Sequence, residues 1–373
     1  MDTPVAAAPD VRALWRDAAE KIAAADFLLV AVGAGFSADS GLPVYKDIAS
    51  MQAYEEMGVD YRDLCDPYWL EEDDQVFYGF WGSCFNTYRD TKQHDGYDIL
   101  RKWKQHLVAK RHQSAFQTVF DRLRLRGDLP DAMSVDSVTN DPFFVYTSNR
   151  PSSVVVPFRK LSHTLPIACT MRQVDAHFLR DFKSNEVYEL HGNVERWQCA
   201  GAVGHAAALR EPCDELWDAS AEFRFAVDAK TMRAEGNDAL TTCAQCGGKA
   251  RPNVLMFHDK MWIPNLDHED RYIAWEAVVE EMLQENPSLK LVVLEIGCGT
   301  RVPSVRRECE MVVGDIFERC GRAQASLVRI NPDFPHCDND ALTTNDLVLS
   351  VPSKGLEALE AIDEMLSQIK MVK

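Results

Sequence analysis

The stretch FLLVAVGAGFS, residues 27–37, decides the predicted fold. Its first six residues are a continuous apolar run with β-branched members, which is typical of a parallel strand buried on both faces. The run leads into Gly33-Ala34-Gly35, where glycines let the backbone turn tightly and approach a phosphate held by N–H groups at a helix start. The third glycine of the usual dinucleotide pattern arrives late, at Gly41. The turn alone leaves open a dinucleotide site or an ordinary strand-to-loop turn.

The rest of the chain repeats the alternation of strands and helices. An amphipathic helix opens at Pro9 and Asp10, and others are predicted around residues 115–123, 305–320 and 356–366. Further strands are predicted at residues 143–146, 187–190, 291–296, 327–330 and 347–351. Alternation of this kind favours a parallel sheet covered by helices.

A second glycine turn, Gly297-Cys298-Gly299-Thr300, also follows a predicted strand. Two glycine-bearing strand ends in one parallel sheet indicate a ligand crevice at the carboxyl ends of the strands. Asn331 follows the strand that ends at residue 330. Its amide can bond a ribose hydroxyl there, or cap a turn.

Composition narrows the classes of partner. The chain has 373 residues and a formal net charge of −18, so its surface repels nucleic-acid phosphates and anionic lipid, and neither partner is expected. A lysine-rich protein segment would suit this charge, although solubility alone also explains it. No secretory signal is recognised, and the eleven cysteines include only one tight pair. We therefore expect an intracellular protein, cytoplasmic or nuclear, with reduced thiols.

Four cysteines fall in a segment that loses the strand–helix rhythm. Cys243 and Cys246 form a CxxC knuckle followed by two glycines, and Cys199 and Cys213 precede it. Four thiolates make a closed tetrahedral zinc site with a structural role and no open position for catalysis. Thirteen residues separate Cys199 from Cys213, so His205 between them can replace one ligand, or both cysteines can be buried free thiols. The other seven cysteines are interpreted as core or incidental.

These elements together predict an α/β protein, a doubly wound parallel sheet (Rossmann-like) with an inserted small zinc-binding module and a helical insert. Residues 10–190 and 250–373 would form the nucleotide-binding domain and residues 191–249 the zinc module. Residues 48–110, rich in aromatic and acidic side chains, are expected to form several short helices. His191 ends the strand before the module, where a histidine can act as a general base near neutral pH, although a lone histidine is more often structural.

In chain order, these elements resemble the sirtuin family. The resemblance is carried by GAGFSADSGLPVYK at 33–46, YTSN at 146–149, Val174-Asp175, LHG at 190–192, the cysteine module, RPNVLMF at 251–257, the turn at 297–300 and Ile330-Asn331. It spans about residues 27–360, and the wording of several motifs is closest to bacterial and protist members. No single motif decides it; the collinear order is the specific signal.

The resemblance implies an NAD-dependent protein lysine deacylase that releases nicotinamide and an acyl-ADP-ribose ester. NAD would be the co-substrate, zinc a structural ion and an acyl-lysine protein the partner. His191 would be the base that deprotonates a ribose hydroxyl, Asn149 would position the ribose and water, and Asp175 would bond the nicotinamide carboxamide. The cofactor crevice would be lined by Gly33, Ala34, Gly35, Ser37, Tyr45, Lys46, Ser148, Asn149, Asp175, Gly297, Gly299, Thr300 and Asn331. Val254, Met256 and Phe257 would pair with the substrate peptide as an added strand.

The chain departs from the family pattern at several positions. Val44-Tyr45-Lys46 replaces the usual Asp-Phe-Arg, and lysine cannot make the bidentate contacts of arginine. Ser148 replaces the usual glutamine. His258 replaces the usual glycine, and the bulk of its side chain would narrow the acyl-lysine channel.

Residues 150–173 are an anomalous insert without a single acid. In the family, the asparagine is followed directly by the hydrophobic residue and the aspartate. The insert is interpreted as a surface loop or as translated intron, and if native it is expected to push Asp175 out of the nicotinamide pocket. Two other functions stay open: an ADP-ribosyltransferase or NAD glycohydrolase using the same crevice, and a non-catalytic NAD-binding scaffold.

Overall fold

A computed structural model describes residues 10–42, 52–59, 61–130, 137–147, 174–201, 211–236, 238–300 and 303–372. Nine strands lie in these ranges: β1 Phe27–Val32, β2 Phe143–Thr147, β3 Val187–Glu189, β4 Gly192–Cys199, β5 Leu216–Asp218, β6 Ala250–Val254, β7 Leu291–Ile296, β8 Ala325–Ile330 and β9 Val348–Val351.

Six of these strands form one parallel sheet in the order β3-β2-β1-β7-β8-β9. Counted along the chain within this sheet, the order is 3-2-1-4-5-6, which is that of the doubly wound dinucleotide-binding fold. The order reverses between β1 and β7, where Val32 pairs with Ile296. The predicted fold class is confirmed, and its ligand crevice belongs at the carboxyl ends of these two strands.

Helices cover both faces of the sheet. In chain order, the helices of the described ranges, including those that lie away from this sheet, are Val11–Ala24, Ala34–Ala38, Gln52–Met57, Tyr61–Leu64, Trp69–Glu72, Asp74–Asp90, Gly96–Val108, Gln113–Arg126, Phe178–Asp181, Leu266–Glu285, Ser304–Cys320, Asp340–Thr344 and Gly355–Val372. The first begins after Asp10, whose side chain accepts a hydrogen bond from the Arg12 N–H at 3.1 Å, as expected of a helix cap. None of the helices in the described ranges is long and apolar enough to cross a membrane.

Alternate side chains of β1 enter two separate cores, because successive residues of a strand point to opposite faces. Leu29 and Ala31 pack with Gln113–Arg126, Leu266–Glu285 and Ser304–Cys320. Leu28 and Val30 pack with Val11–Ala24, Gly96–Val108 and Gly355–Val372. Full burial of each such leucine or valine contributes about 1.5–3 kcal/mol, so the apolar run at 27–32 holds the centre of the fold.

The remaining strands form a small antiparallel sheet in the order β5-β4-β6. This sheet shares one core with the helices between Gln52 and Asp90. The helix Asp74–Asp90 packs closely against the segment between β5 and β6, since a Cβ on Gly79 would lie 1.9 Å from the Met232 carbonyl oxygen. We call this second unit the small lobe.

The helix Asp74–Asp90 contacts two separate parts of the protein. Near its start, the Tyr78 hydroxyl donates to the Ala250 carbonyl at 2.8 Å. Near its end, the Tyr88 carbonyl accepts a hydrogen bond from His177 Nε2 at 2.9 Å. One helix therefore contacts both the strand next to the CxxC knuckle and the segment that follows Asp175.

Two local expectations need correction, and one helix was not predicted. The described part of the segment 48–110 contains three short helices, but they are followed by helices of 17 and 13 residues, Asp74–Asp90 and Gly96–Val108. Ala250–Val254, which the sequence assigned to the larger domain, pairs with β4 in the small sheet. The 20-residue helix Leu266–Glu285 was not predicted.

Candidate functional site

The two glycine turns pack directly against each other at the switch point. A Cβ on Gly33 would lie 2.6 Å from the Gly297 carbonyl oxygen, and a Cβ on Gly297 would lie 2.7 Å from the Gly35 carbonyl carbon. Gly297 also has a φ of +66°, a left-handed conformation that favours glycine. These positions need glycine because two backbones meet there.

Two backbone N–H groups of the first turn are already used within the protein. Gly33 donates to the Ile296 carbonyl at 2.9 Å and Gly35 to the Gly297 carbonyl at 3.1 Å. The expectation that free N–H groups here hold a phosphate therefore fails for these two glycines. Instead, Gly33 and Gly35 allow the two turns to pack closely. Ala34, which lies between them, is partly exposed at the edge of the crevice.

Asp175 lies against the first glycine turn. Its Oδ2 accepts a hydrogen bond from the Ser37 hydroxyl at 2.5 Å, and its Oδ1 accepts from the His177 N–H at 2.9 Å. The carboxyl is almost fully buried, with 3% of the residue exposed. The insert at 150–173 was expected to push Asp175 out of the nicotinamide pocket, whereas Asp175 lies against the first glycine turn through its bond with Ser37. The contact of Asp175 with nicotinamide stays a prediction.

His191 is buried one turn beyond the end of β3. The N–H of the neighbouring residue Leu190 donates to the Thr147 carbonyl of β2 at 3.2 Å. The carbonyl of His191 accepts from the Leu255 N–H at 3.0 Å. Gly192 follows with a φ of +68°, and a Cβ there would lie 1.8 Å from the Asn253 carbonyl oxygen. The backbone around His191 is therefore fixed from the parallel sheet on one side and the small sheet on the other.

Glu189 is a site residue that the sequence analysis missed. It is the last residue of β3 and is 4% exposed. Burial raises the pKa of Glu189 from 4.5 to about 8, and the nearby charge of Asp175 adds to the rise. The signal in the sequence was an acid between Tyr188 and Leu190, inside a strand expected to be buried.

Asn331 supports the second glycine turn from the end of β8. Its amide nitrogen donates to the Cys298 carbonyl at 2.8 Å, and its amide oxygen accepts from the N–H groups of Asp333 at 3.0 Å and Phe334 at 2.9 Å. The amide oxygen thus caps the turn that follows β8. Gly299 and Thr300, on the same second turn, are exposed.

The predicted peptide-binding stretch joins β6 to the helical part of the small lobe. Val254 pairs with Gly192, and the Phe257 N–H donates to the Cys65 carbonyl at 2.9 Å. The Met256 N–H reaches the Asp259 carboxylate at 3.4 Å, and Leu255 donates to His191. Because these N–H groups bond within the protein, an added peptide strand would have to pair through carbonyl oxygens of the stretch.

His258 follows this stretch with a φ of +53°. Its side chain is 84% exposed, and its Nδ1 lies 2.8 Å from the Asp66 carboxylate. The expectation that the bulk of His258 narrows the acyl-lysine channel does not match this outward position. An ion pair between the fully buried side chains of Arg251 and Asp259, at 2.6 Å, joins the two sides of the loop that contains His258.

The four predicted zinc ligands come together. The sulfurs of Cys199, Cys213, Cys243 and Cys246 all lie within 4.8 Å of one another, and the Cys199 and Cys246 sulfurs are 3.7 Å apart. Zinc–sulfur bonds of about 2.3 Å in a tetrahedron place ligand sulfurs about 3.8 Å apart, so the cluster fits one zinc ion. The alternative that Cys199 and Cys213 are unrelated buried thiols is excluded, because the sulfurs of all four cysteines form one cluster.

Backbone contacts shape this cluster around the sulfurs. Gly201 and Gly248 direct their N–H groups at the sulfurs of Cys199 and Cys246, both at 3.4 Å. Such contacts stabilise thiolates, which are the form that binds zinc. Four sulfur ligands leave no open position, so an ion here would hold the small lobe together without entering a reaction.

Several predicted residues lie outside the described ranges. These are Tyr45, Lys46, Ser148 and Asn149 of the crevice, the alternative ligand His205, and the insert 150–173. Their roles stay predictions.

No protein-family model and no curated protein sequence matches the chain. Solved structures that are similar to it include two Sir2 homologues. One is a Sir2 homologue in complex with NAD, at 17% sequence identity and a TM-score of 0.49, covering 95% of this chain and 94% of that chain. The other is a mutant Sir2 homologue in complex with 2′-O-acetyl-ADP-ribose, at 16% identity and a TM-score of 0.46, covering 95% of this chain and 96% of that chain. At TM-scores below 0.5 these likenesses carry no argument about activity, and the fold rests on the strand order of the chain itself.

Proposed function

We propose that the chain is an NAD-dependent protein lysine deacylase. The observation that carries the proposal is the buried contact of Ser37 with Asp175 at the switch point of the sheet. It joins two motifs that lie 138 residues apart in sequence and that the sirtuin resemblance assigns to one cofactor crevice. His191 is buried beyond the end of β3, at the same edge of the sheet.

Two features of the crevice support a dinucleotide ligand. The packed glycines Gly33 and Gly297 keep side chains away from the place where the turns after β1 and β7 meet. Thr147, the last residue of β2, is 1% exposed, and its hydroxyl has no hydrogen-bond partner among the described residues. A buried hydroxyl of this kind calls for a ligand or water to satisfy it. Asn331 and the exposed Thr300 border the far side of the turn.

Each residue then has a definite task. NAD, when bound, supplies a ribose carbon from which nicotinamide departs. Asp175, held by Ser37, accepts a hydrogen bond from the carboxamide of nicotinamide. His191 takes a proton from a ribose hydroxyl, the role for which an imidazole is suited near neutral pH. The substrate is an acyl-lysine segment of a protein, whose positive neighbours suit a chain of net charge −18.

Nicotinamide release tests the proposal. Wild type would be incubated with NAD, with and without acetyl-lysine and longer acyl-lysine peptides, beside a form that lacks residues 150–173. His191→Ala should lower peptide-dependent release by about 10²–10⁴-fold, the usual contribution of a general base. The matched control is His106→Ala, because His106 is exposed on the helix Gly96–Val108.

The outcomes separate the three functions. Release that requires the peptide, is lost in His191→Ala and is kept in His106→Ala supports the deacylase. Equal release without peptide points to an NAD glycohydrolase or, if protein becomes labelled by the ADP-ribose, to a transferase. Binding of NAD without release from either form of the chain points to a scaffold.

A further inference from the structure

His94 lies between the ends of two helices. Its Nε2 is 2.9 Å from the Phe36 carbonyl oxygen, within the last turn of the five-residue helix Ala34–Ala38. Its Nδ1 accepts a hydrogen bond at 3.0 Å from the N–H of Gly96, the first residue of the helix Gly96–Val108. Because a carbonyl only accepts and an N–H only donates, the ring is neutral and carries its proton on Nε2. One side chain therefore serves two helix ends, where backbone groups lack partners within the helix.

The ring of His94 is closely packed in this position. It meets the fully buried ring of Phe36 edge to face, with centroids 4.5 Å apart and an interplanar angle of 71°. A Cβ on Gly96 would lie 2.5 Å from Cε1 and 2.7 Å from Nδ1 of the imidazole, so a side chain at position 96 would displace the ring. The backbone N–H of His94 also donates to the Ser40 hydroxyl oxygen at 3.2 Å. His94 thus contacts the segment after the first glycine turn through its ring face, its Nε2 and its backbone.

The helix Ala34–Ala38 takes its position from contacts with the rest of the protein, since five residues are far too few for a helix that is stable alone. It carries Ser37, whose hydroxyl bonds Asp175 at 2.5 Å. The carbonyl that His94 bonds belongs to Phe36, the residue directly before Ser37. Loss of this bond would therefore loosen the helix at the residue next to Ser37.

The surroundings of the ring favour its neutral form. The titratable side chains of the described residues that act on the ring or touch it are Asp39, Asp95, Tyr97 and His177. Burial lowers the pKa of His94, and His177 acts in the same direction, whereas the bond to the Phe36 carbonyl and the two aspartates oppose the lowering without outweighing it. A second proton would occupy Nδ1 and remove the acceptor for the Gly96 N–H.

We propose that His94 is a positioning residue for the NAD crevice, and that its neutral ring holds the short helix that carries Ser37. The Nε2–H fixes the Phe36 carbonyl, and the fixed helix keeps the Ser37 hydroxyl on Asp175. In acid, the ring gains a proton on Nδ1, loses the Gly96 bond and leaves the position in which Nε2 meets Phe36. This inference rests on the proposed function, which assigns NAD to the crevice.

Two substitutions separate the two bonds of the ring. The amide nitrogen of glutamine reaches the position of Nε2, so His94→Gln keeps the donor to Phe36 and loses the acceptor for Gly96. The amide oxygen of asparagine reaches the position of Nδ1, so His94→Asn keeps the acceptor and loses the donor. At pH 7, His94→Gln should bind NAD with a Kd within about threefold of wild type, whereas His94→Asn should raise the Kd by about three- to tenfold, the usual effect of one lost hydrogen bond. A histidine that only caps the helix Gly96–Val108 would give the reverse order, which would overturn the inference.

The pH dependence of NAD binding, measured by calorimetry, gives a second test. Because binding needs the neutral ring and burial lowers the pKa of His94, the affinity of wild type should be full at neutral pH and fall below about pH 6.5. His94→Gln has no titrating ring and should lose this fall. The matched control is His106→Gln, an exposed histidine on the same helix, which should follow wild type. An acid fall of equal size in His94→Gln overturns the inference.

Amide hydrogen exchange measures the same contacts without NAD. His94→Asn should speed exchange in residues 36–41 and leave the start of the helix Gly96–Val108 as in wild type, and His94→Gln should do the opposite. If wild type binds no NAD but this pattern is present, the proposed function fails and the positioning role of His94 stands. Equal exchange of residues 36–41 in the two variants overturns that role.

Discussion

Replacing Gly297 by alanine perturbs the contact that holds the two glycine turns together. An alanine at a φ of +66° costs about 1–2 kcal/mol in backbone strain. Its Cβ would also lie 2.7 Å from the Gly35 carbonyl carbon and from the Phe36 nitrogen, where ordinary contacts begin at 3.4 Å. Overpacking of this kind typically costs a further 1–3 kcal/mol or so. We expect Gly297→Ala to lose about 2–5 kcal/mol of unfolding free energy, which most domains survive.

The matched control is two residues away on the same turn. A Cβ on Gly299 meets nothing within 4 Å, and its φ lies outside the left-handed range. Gly299→Ala should therefore change the unfolding free energy by less than about 1 kcal/mol and can even stabilise the protein by restricting the unfolded chain.

Urea unfolding of the two variants, with calorimetry of NAD binding, measures both effects. The Gly297→Ala protein should unfold at lower urea than Gly299→Ala and bind NAD more weakly, because the turns must move apart at the crevice. Equal urea midpoints for the two variants would refute the packing of the turns described above.

Three further substitutions test other parts of the site. Cys243→Ser should lose the bound zinc, measured by metal analysis, whereas Cys337→Ser, outside the cluster, should keep it; retention in both contradicts the four-cysteine site. Ser37→Ala removes the 2.5 Å bond to Asp175 and should raise the Kd for NAD about tenfold by calorimetry, and an unchanged Kd argues against Asp175 in the pocket. Because the pKa of Glu189 rises from 4.5 to about 8 on folding, the unfolded chain releases this proton first as the pH increases. Between pH 4.5 and pH 8, the unfolding free energy of wild type should therefore fall by up to about 5 kcal/mol, whereas that of Glu189→Gln should not show this fall. If urea unfolding gives the same difference between the two proteins at every pH, this prediction is contradicted.

The large sheet could be predicted because its signals are local. Apart from the three-residue β3, each strand is a largely apolar stretch of four to six residues, and those at β1 and β7 end in glycine turns. Most strands and the crevice edge therefore follow from short windows of sequence. The helix Leu266–Glu285 escaped prediction for the opposite reason. Its buried face includes His268 and Glu280, and these polar residues interrupt the apolar pattern that identifies a helix.

The site required contacts that no short window contains. The CxxC pair is a local signal, but Cys199 reaches it only because β4 pairs with β6 and sets Cys199 opposite Ala250. The state of Glu189 depends on burial and on Asp175, which is 14 residues away in sequence and close only in the fold. The candidate zinc ligands could therefore be predicted from the sequence, whereas the raised pKa of Glu189 follows only from the fold.

The helix Asp74–Asp90 limits where the chain can change its length. Tyr78 and Tyr88 are ten residues apart, about 15 Å along the helix axis, and each is fixed to a different part of the protein. Deleting a single residue between them would turn one contact by about 100° relative to the other, so both could not form together. Insertions and deletions among relatives should therefore be rare between Tyr78 and Tyr88.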